Sequence, residues 1–196
     1  KDVRILYTDH SLIVGAMMYD PHPDSILGQL GNRDAEHLNT DEFCIEIDTY
    51  GNATDAYIFT VTAANVQLDR RFTDDTFDAV WRSSTQVNDS GWIAEIEIPF
   101  SAIRFPRRDV HQWGLQLNRG LRRYRETDQW ALEVKGAANN IVNWGQLSGI
   151  SNVNAPVRLS LTPYMAVGVE HYPFNLTDKS NFSYSFSGGM DLKYGL

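Results

Sequence analysis

Along most of this chain apolar and polar residues alternate with a period of two, the spacing that turns one face of a β-strand inward. In residues 42–48, Phe43, Ile45 and Ile47 fall on one face, and Glu42, Cys44, Glu46 and Asp48 on the other. In 91–98, Trp92, Ala94, Ile96 and Ile98 oppose Ile93, Glu95 and Glu97. The same reading predicts strands at 2–8, 11–19, 55–63, 65–70, 79–87, 112–123, 127–133 and 143–150, with turns at Asp9-His10 and Gly51-Asn52. Residues 20–40, with Pro21 and Pro23, read as a long polar loop holding a short helical turn, and Pro99 to Phe105 as one more helical turn. No long helical period interrupts the strands. Eight or more of them, separated by turn residues, predict an all-β fold: an antiparallel β-sandwich with jelly-roll-like or immunoglobulin-like layering over residues 1–152.

The pattern changes after Ser151-Asn152-Val153-Asn154-Ala155-Pro156, which has linker composition. From Val157 to Glu170 every second residue is apolar and its neighbours are mostly small or polar, and the run from Phe182 repeats this with Phe182, Tyr184, Phe186, Met190 and Leu192 on one side. Such dyads exceed the roughly 5–6 residues of an ordinary strand. They suit a tilted membrane strand with a lipid face and a small, polar lumen face. Residues 153–196 are therefore expected to be a linker and a β-hairpin from the start of a transmembrane β-barrel, with Tyr164, Tyr172, Phe174, Tyr184 and Tyr194 as interface girdles. Two strands cannot close a barrel. Lys1 opens directly onto a strand-like run and Leu196 ends another, so both ends read as cuts from something longer.

Composition narrows the function. Net charge is −8 and the sequence pI about 5.0, which argues against a nucleic-acid partner. The lone Cys44 excludes an internal disulfide and a Cys-based zinc site. Histidines 10, 22, 37, 111 and 171 are scattered without metal-ligand spacing, and no nucleophile elbow, Walker loop or dinucleotide fingerprint occurs. No apolar run approaches the roughly 20 residues of a helical membrane span. Glu95 and Glu97 share a strand face about 7 Å apart, within the reach of a glycosidase acid pair, but i,i+2 acids on a solvated face look the same.

Several segments together resemble family 9 carbohydrate-binding modules. Val3-Arg4-Ile5-Leu6-Tyr7-Thr8-Asp9 with Leu12-Ile13-Val14-Gly15-Ala16 resembles that family's early hairpin, and 41–48 its acidic central strand. Gly91-Trp92-Ile93-Ala94-Glu95-Ile96-Glu97-Ile98-Pro99-Phe100 is the most specific match; Trp113 to Arg119 and Asn143 to Leu147 complete it. Asp48-Thr49-Tyr50, 55–59 and Asp191 to Leu196 are similar to a bacterial group in which such a module precedes an outer-membrane barrel of unassigned function. The resemblance implies a non-catalytic domain that recognises polysaccharide or another glycan, at the bacterial outer membrane and by default on its periplasmic side. It also implies a first strand upstream of Lys1, a possible structural calcium, and a tryptophan pair that clamps the sugar. Trp144 fits the second clamp position; the first falls near His37 or Leu38, and no tryptophan precedes Trp81.

Candidate ligand-binding residues are Trp144, Trp81 and Trp130, whose indole faces can stack on a sugar ring, and Arg119 from the cluster of 119, 122, 123 and 125. Trp92 and Trp113 are in phase with core residues and read as buried. A second arginine cluster, Arg104, Arg107 and Arg108, can meet acidic polysaccharide, lipopolysaccharide phosphate or a barrel rim, or serve only as edge protection. Asp41, Glu42 and Asp48, with Glu46 beside them, offer the hard oxygen ligands calcium requires; Asp74, Asp75 and Asp78 are further acids in a loop. Two other readings stand beside carbohydrate recognition: a structural or gating domain that docks on its own barrel, and an accessory module of glycoside hydrolysis.

Overall fold

Four strands form one antiparallel sheet in the order β1 (Asp2–Tyr7), β2 (Ser11–Tyr19), β7 (Gly91–Pro99), β6 (Arg82–Asn88). The second sheet runs β10 (Gly145–Ser151), β8 (Val110–Leu121), β3 (Glu42–Asp48), β4 (Tyr57–Thr62), β5 (Gln67–Arg71), with β9 (Glu126–Gln129) also paired to β8. The two sheets bury a shared core, so the expected antiparallel sandwich is the observed fold. The computed structural model describes residues 1–154, 158–171 and 182–195. Its chain divides into two units, 1–155 and 156–196.

Strand phase sets the core. Leu12, Val14, Ala16 and Met18 of β2 and Trp92, Ala94, Ile96 and Ile98 of β7 meet Phe43, Ile45 and Ile47 of β3, Tyr57, Phe59 and Val61 of β4, and Trp113, Leu115 and Leu117 of β8. Trp92 and Trp113 are buried, as their phase predicts. The β7–β8 connection adds a cluster of rings in which Phe105 lies edge-on to Phe100 at 5.6 Å and to His111 at 5.0 Å, and tilted against Trp113 at 5.3 Å. Such pairs add about 0.5–1.5 kcal/mol each beyond their buried area.

Two local expectations change. Pro99 to Phe105 is not helical; it is a turn closed by the Ala102 N–H on the Pro99 carbonyl, with Ile103 and Phe105 plunging into the core. Burial of two side chains, two residues apart, demands extended backbone there. The strand expected at 127–133 stops at Gln129, because Ala131 is held by a side chain rather than by a ladder. In the 20–40 loop the short helical turn is the 3-10 turn Pro23–Ser25.

The second unit is a ribbon of β11 (Arg158–His171) and β12 (Phe182–Gly195), paired in unbroken register from Arg158↔Gly195 to His171↔Phe182. Leu161 opposes Leu192, Pro163 opposes Met190, Val167 opposes Phe186 and Val169 opposes Tyr184, so one face is an exposed apolar stripe. The other face carries Thr162 with Asp191, Ala166 with Ser187 and Gly168 with Ser185. Tyr172 and Phe174, expected in a girdle, lie outside the described residues.

Gly91 opens β7 with φ +139°, and a Cβ there would collide with the Met18 carbonyl oxygen of β2. Gly136 also has positive φ but open space around it. Gly91→Ala should therefore cost about 3 kcal/mol or more by parting β2 from β7, and Gly136→Ala about 1 kcal/mol. Urea unfolding of the two variants measures the difference; equal losses would refute the packing argument.

Candidate functional site

The face of the larger sheet that points away from the core is built from the polar phase of its strands. Pairing across β8, β3, β4 and β5 sets Gln116, Glu46, Ile58 and Arg70 in one row. Asn118, Cys44, Thr60 and Leu68 form the next, and Gly120, Glu42 and Thr62 the third. Asn118 Nδ2 donates to Glu46 Oε1 at 2.9 Å, and the Cys44 thiol approaches the same oxygen at 3.7 Å. Two clefts that share His37, Glu42 and Leu68 continue this face. One of about 320 Å³ lies against the 122–127 turn, and one of about 840 Å³ lies between residues 34–37 and 75–78.

Residues 130–144 cross this face beside β8. Gln116, fully buried, donates its amide to the Ala131 carbonyl and accepts the Ala131 N–H, both at 2.8 Å. Its side chain thus does what a neighbouring strand's peptide would do. Glu133 then gathers donors: Gln129 Nε2 at 2.7 Å, Trp144 Nε1 at 3.3 Å and Gln116 Nε2 at 3.4 Å. Burial first, and then the Glu133 charge, hold the Glu46 carboxyl above the ordinary glutamate range.

The candidate tryptophans part company here. Trp144 is half-buried, its indole fixed by the bond to Glu133. Trp130 is half exposed and lies directly against Gly145, where a Cβ would strike its ring. These two indoles flank one glycine at the edge of the polar face. Trp81 is a core residue: 4% exposed, edge-on to Phe59 at 5.4 Å, with Nε1 bonded to Asp69 at 2.9 Å. It has no free face for a sugar. Arg119 is buried too, its Nη1 bonded to the Tyr19 carbonyl at 2.7 Å and its Nη2 3.6 Å from Asp20. Arg119 continues the inward phase of Trp113, Leu115 and Leu117, so it serves the interior and not a ligand.

The proposed calcium ligands do not converge. Asp41 and Asp48 are seven residues apart on one extended segment, roughly 23 Å, and point to opposite faces. Asp48 instead caps the following loop, accepting the N–H groups of Tyr50, Gly51 and Ala53. Asp41 is buried and accepts the Arg122 N–H at 3.0 Å, while Glu42 lines the two clefts. Among the described residues Asp34, Asp69 and Asp78 do gather, with carboxylate oxygens within 4.8 Å of one another. Arg33 fills their centre: its guanidinium bonds Asp69 and lies 3.4 Å from both Asp34 and Asp78. The cation there is an arginine. Glu95 and Glu97 stand on the outer face of the other sheet, where Glu97 accepts the Ser11 hydroxyl at 3.1 Å and pairs with Arg82 at 3.6 Å.

Comparison with solved structures matches this sandwich to a family 9 carbohydrate-binding module from Caldicellulosiruptor kristjanssonii, solved in complex with glucose. The TM-score is 0.55 at 18% identity, with 79% of each chain covered. The domain has the family 9 module fold. A candidate carbohydrate-binding protein from Bacteroides uniformis superposes with TM-score 0.59 at 11% identity, covering 74% of this chain and 76% of that one. The sequence profile of DUF5916, a domain of unknown function, matches residues 155–196, the ribbon that follows the family 9 fold. No curated protein matches the chain. Gln116, Asn118 and Glu133, which make the polar face with Glu46, are absent from the candidates read from sequence, where Glu46 figured only beside the calcium ligands. The polar phase of 42–48 was the signal for Glu46.

Glu42, Asp41 and Asp69 are, like Glu46, raised by burial. An acid whose folded pKa lies above its unfolded value stabilises most at low pH and loses that contribution as pH rises through the folded value. Unfolding free energy contributed by these acids should thus fall as pH rises from the ordinary carboxylate range, about pH 4, and Glu46→Gln should flatten the slope. Urea titrations from that pH upward read it; an unchanged slope in the variant would show Glu46 to be solvated.

Proposed function

We propose that the sandwich recognises a glycan, without catalysis, on the outer face of its larger sheet. The observation that carries this is the half-buried group of Glu46, Asn118 and Thr60 from two adjacent rows, with the fixed Trp144 and exposed Trp130 at its edge and a groove leading from it. Carboxylate and amide groups offer acceptors and donors to vicinal hydroxyls, while an indole covers the apolar face of a sugar ring. The family 9 fold, and the glucose complex of one member of it, support the reading.

The ribbon β11–β12 supports placement of the protein at a bacterial outer membrane, with the ribbon as part of a barrel. Fourteen residues span roughly 35 Å of height at a tilt of about 40°, enough for an apolar band of about 25 Å. The exposed stripe from Leu161 to Val169 and its partners is what lipid would cover.

One feature favours the docking alternative. The 130–133 segment already occupies the amide of Gln116 and the indole N–H of Trp144, so the chain itself satisfies groups a sugar would use.

Titration calorimetry of the full chain against xylan, glucan, pectin and lipopolysaccharide oligosaccharides separates the two. Saturable binding should weaken at least about 10-fold, or about 1.4 kcal/mol, in Trp144→Ala and in Glu46→Ala. Trp81→Phe should lower stability and leave the dissociation constant unchanged. A folded chain that binds none of these glycans would overturn the glycan reading and favour the docking role.

A further inference from the structure

The β7–β8 connection carries Arg104, Arg107 and Arg108, all exposed, in a chain of net charge −8. None of the three guanidinium groups reaches a carboxylate within 4 Å among the described residues, whereas Arg4, Arg33, Arg71, Arg82, Arg119 and Arg123 all do. The loop that holds them is stiff. Ile103 and Phe105 are buried on either side of Arg104. The Arg104 N–H donates to the Tyr57 hydroxyl at 2.9 Å, its carbonyl accepts the Thr49 hydroxyl, and Pro106 follows. Unpaired charge on a rigid support, with a single acid (Asp109) beside it, is a surface awaiting an anion.

The exit of the chain from the sandwich is fastened to the same loop. The Asn152 N–H donates to the Asp109 carbonyl at 3.3 Å, and His111 Nε2 bonds the Val153 carbonyl at 3.0 Å, with Val153 buried. Around this end Tyr7, Tyr50 and Val110 are exposed by 40%, 45% and 56%. Tyr7 accepts the Ser151 N–H, and Tyr50 adjoins the Thr49 that bonds Arg104. Arginine with tyrosine and an aliphatic side chain is the composition that settles at a membrane–water boundary.

We propose that this end of the sandwich rests on the phosphate layer of a phospholipid leaflet, with Arg104, Arg107 and Arg108 binding the phosphates. The proposal rests on reading β11–β12 as membrane strands. Guanidinium forks match phosphate oxygens in pairs, and each such charge near an anionic surface strengthens binding several-fold.

Vesicle co-sedimentation of the full chain tests both readings separately. Vesicles of phosphatidylcholine alone report the apolar ribbon; vesicles doped with phosphatidylglycerol report the arginines through the added affinity. The Arg104→Gln/Arg107→Gln/Arg108→Gln variant should lose roughly 100-fold of that increment, and the triple Arg→Lys variant should retain most of it. Arg122→Gln/Arg125→Gln, at the far end of β8, should behave as wild type. High salt should erase the increment. Equal binding of wild type and the Gln variant to the doped vesicles would overturn the proposal. No binding to neutral vesicles would overturn the ribbon reading while leaving the increment measurable.

Discussion

The pairing of β3 with β8 is the constraint on which both the interior and the polar face depend. In that register Ile45 meets Leu117 and Glu46 meets Gln116. Because side chains alternate, the same ladder drives isoleucines and leucines into the core and lifts a carboxylate and an amide to the opposite surface. A slip of one residue would exchange the two sets, burying Glu46 where Phe59 and Trp113 now pack. The fully buried core thus protects the site: no displacement of the polar row is possible without unpacking the sandwich.

Buried charge closes the two ends. At the end where β8 finishes, Asp20 receives Arg123 at 2.7 Å and stands 3.6 Å from Arg119, with Asp41 close by. Burial pushes the Asp20 carboxyl up, but the bonds from Arg123 and the His22 N–H more than offset it, and it stays ionised to low pH. At the edge by β5, Arg33 neutralises Asp34, Asp69 and Asp78. Each cluster adds side-chain ties between a long connection, residues 20–40 or 72–81, and the strands it crosses. Removing Arg123 would leave the buried Asp20 carboxylate short of its nearest cation, a loss of about 3–5 kcal/mol.

The strands were readable because period-two patterning is local, and so were Trp92 and Trp113, whose phase follows from their own strands. Trp81 was not: its burial depends on Asp69 and Phe59, which come from β5 and β4. Arg119 lies in phase with Trp113, Leu115 and Leu117, so its inward direction was written in the pattern and masked by the expectation that arginine is exposed. The acids of 41–48 look like one cluster in sequence and are spread along a rise of seven residues in space. Gln116 and Glu133 were invisible, since what they bind is set by how 130–144 returns to β8.

The two-point clasp of Gln116 on Ala131 has a consequence for how such a surface can change. The crossing segment is tied at Ala131 and Glu133, at Asn139, whose amide donates to the Ala53 carbonyl, and again where Gly145 enters β10; Val134 and Asn140 close a small loop around 135–138. Residues added inside that loop would meet no ladder, and the entropy of closing a longer loop rises only slowly with length. The rim of the polar face can therefore lengthen, shorten or change its side chains while the sheet beneath it stays the same, at little cost to folding.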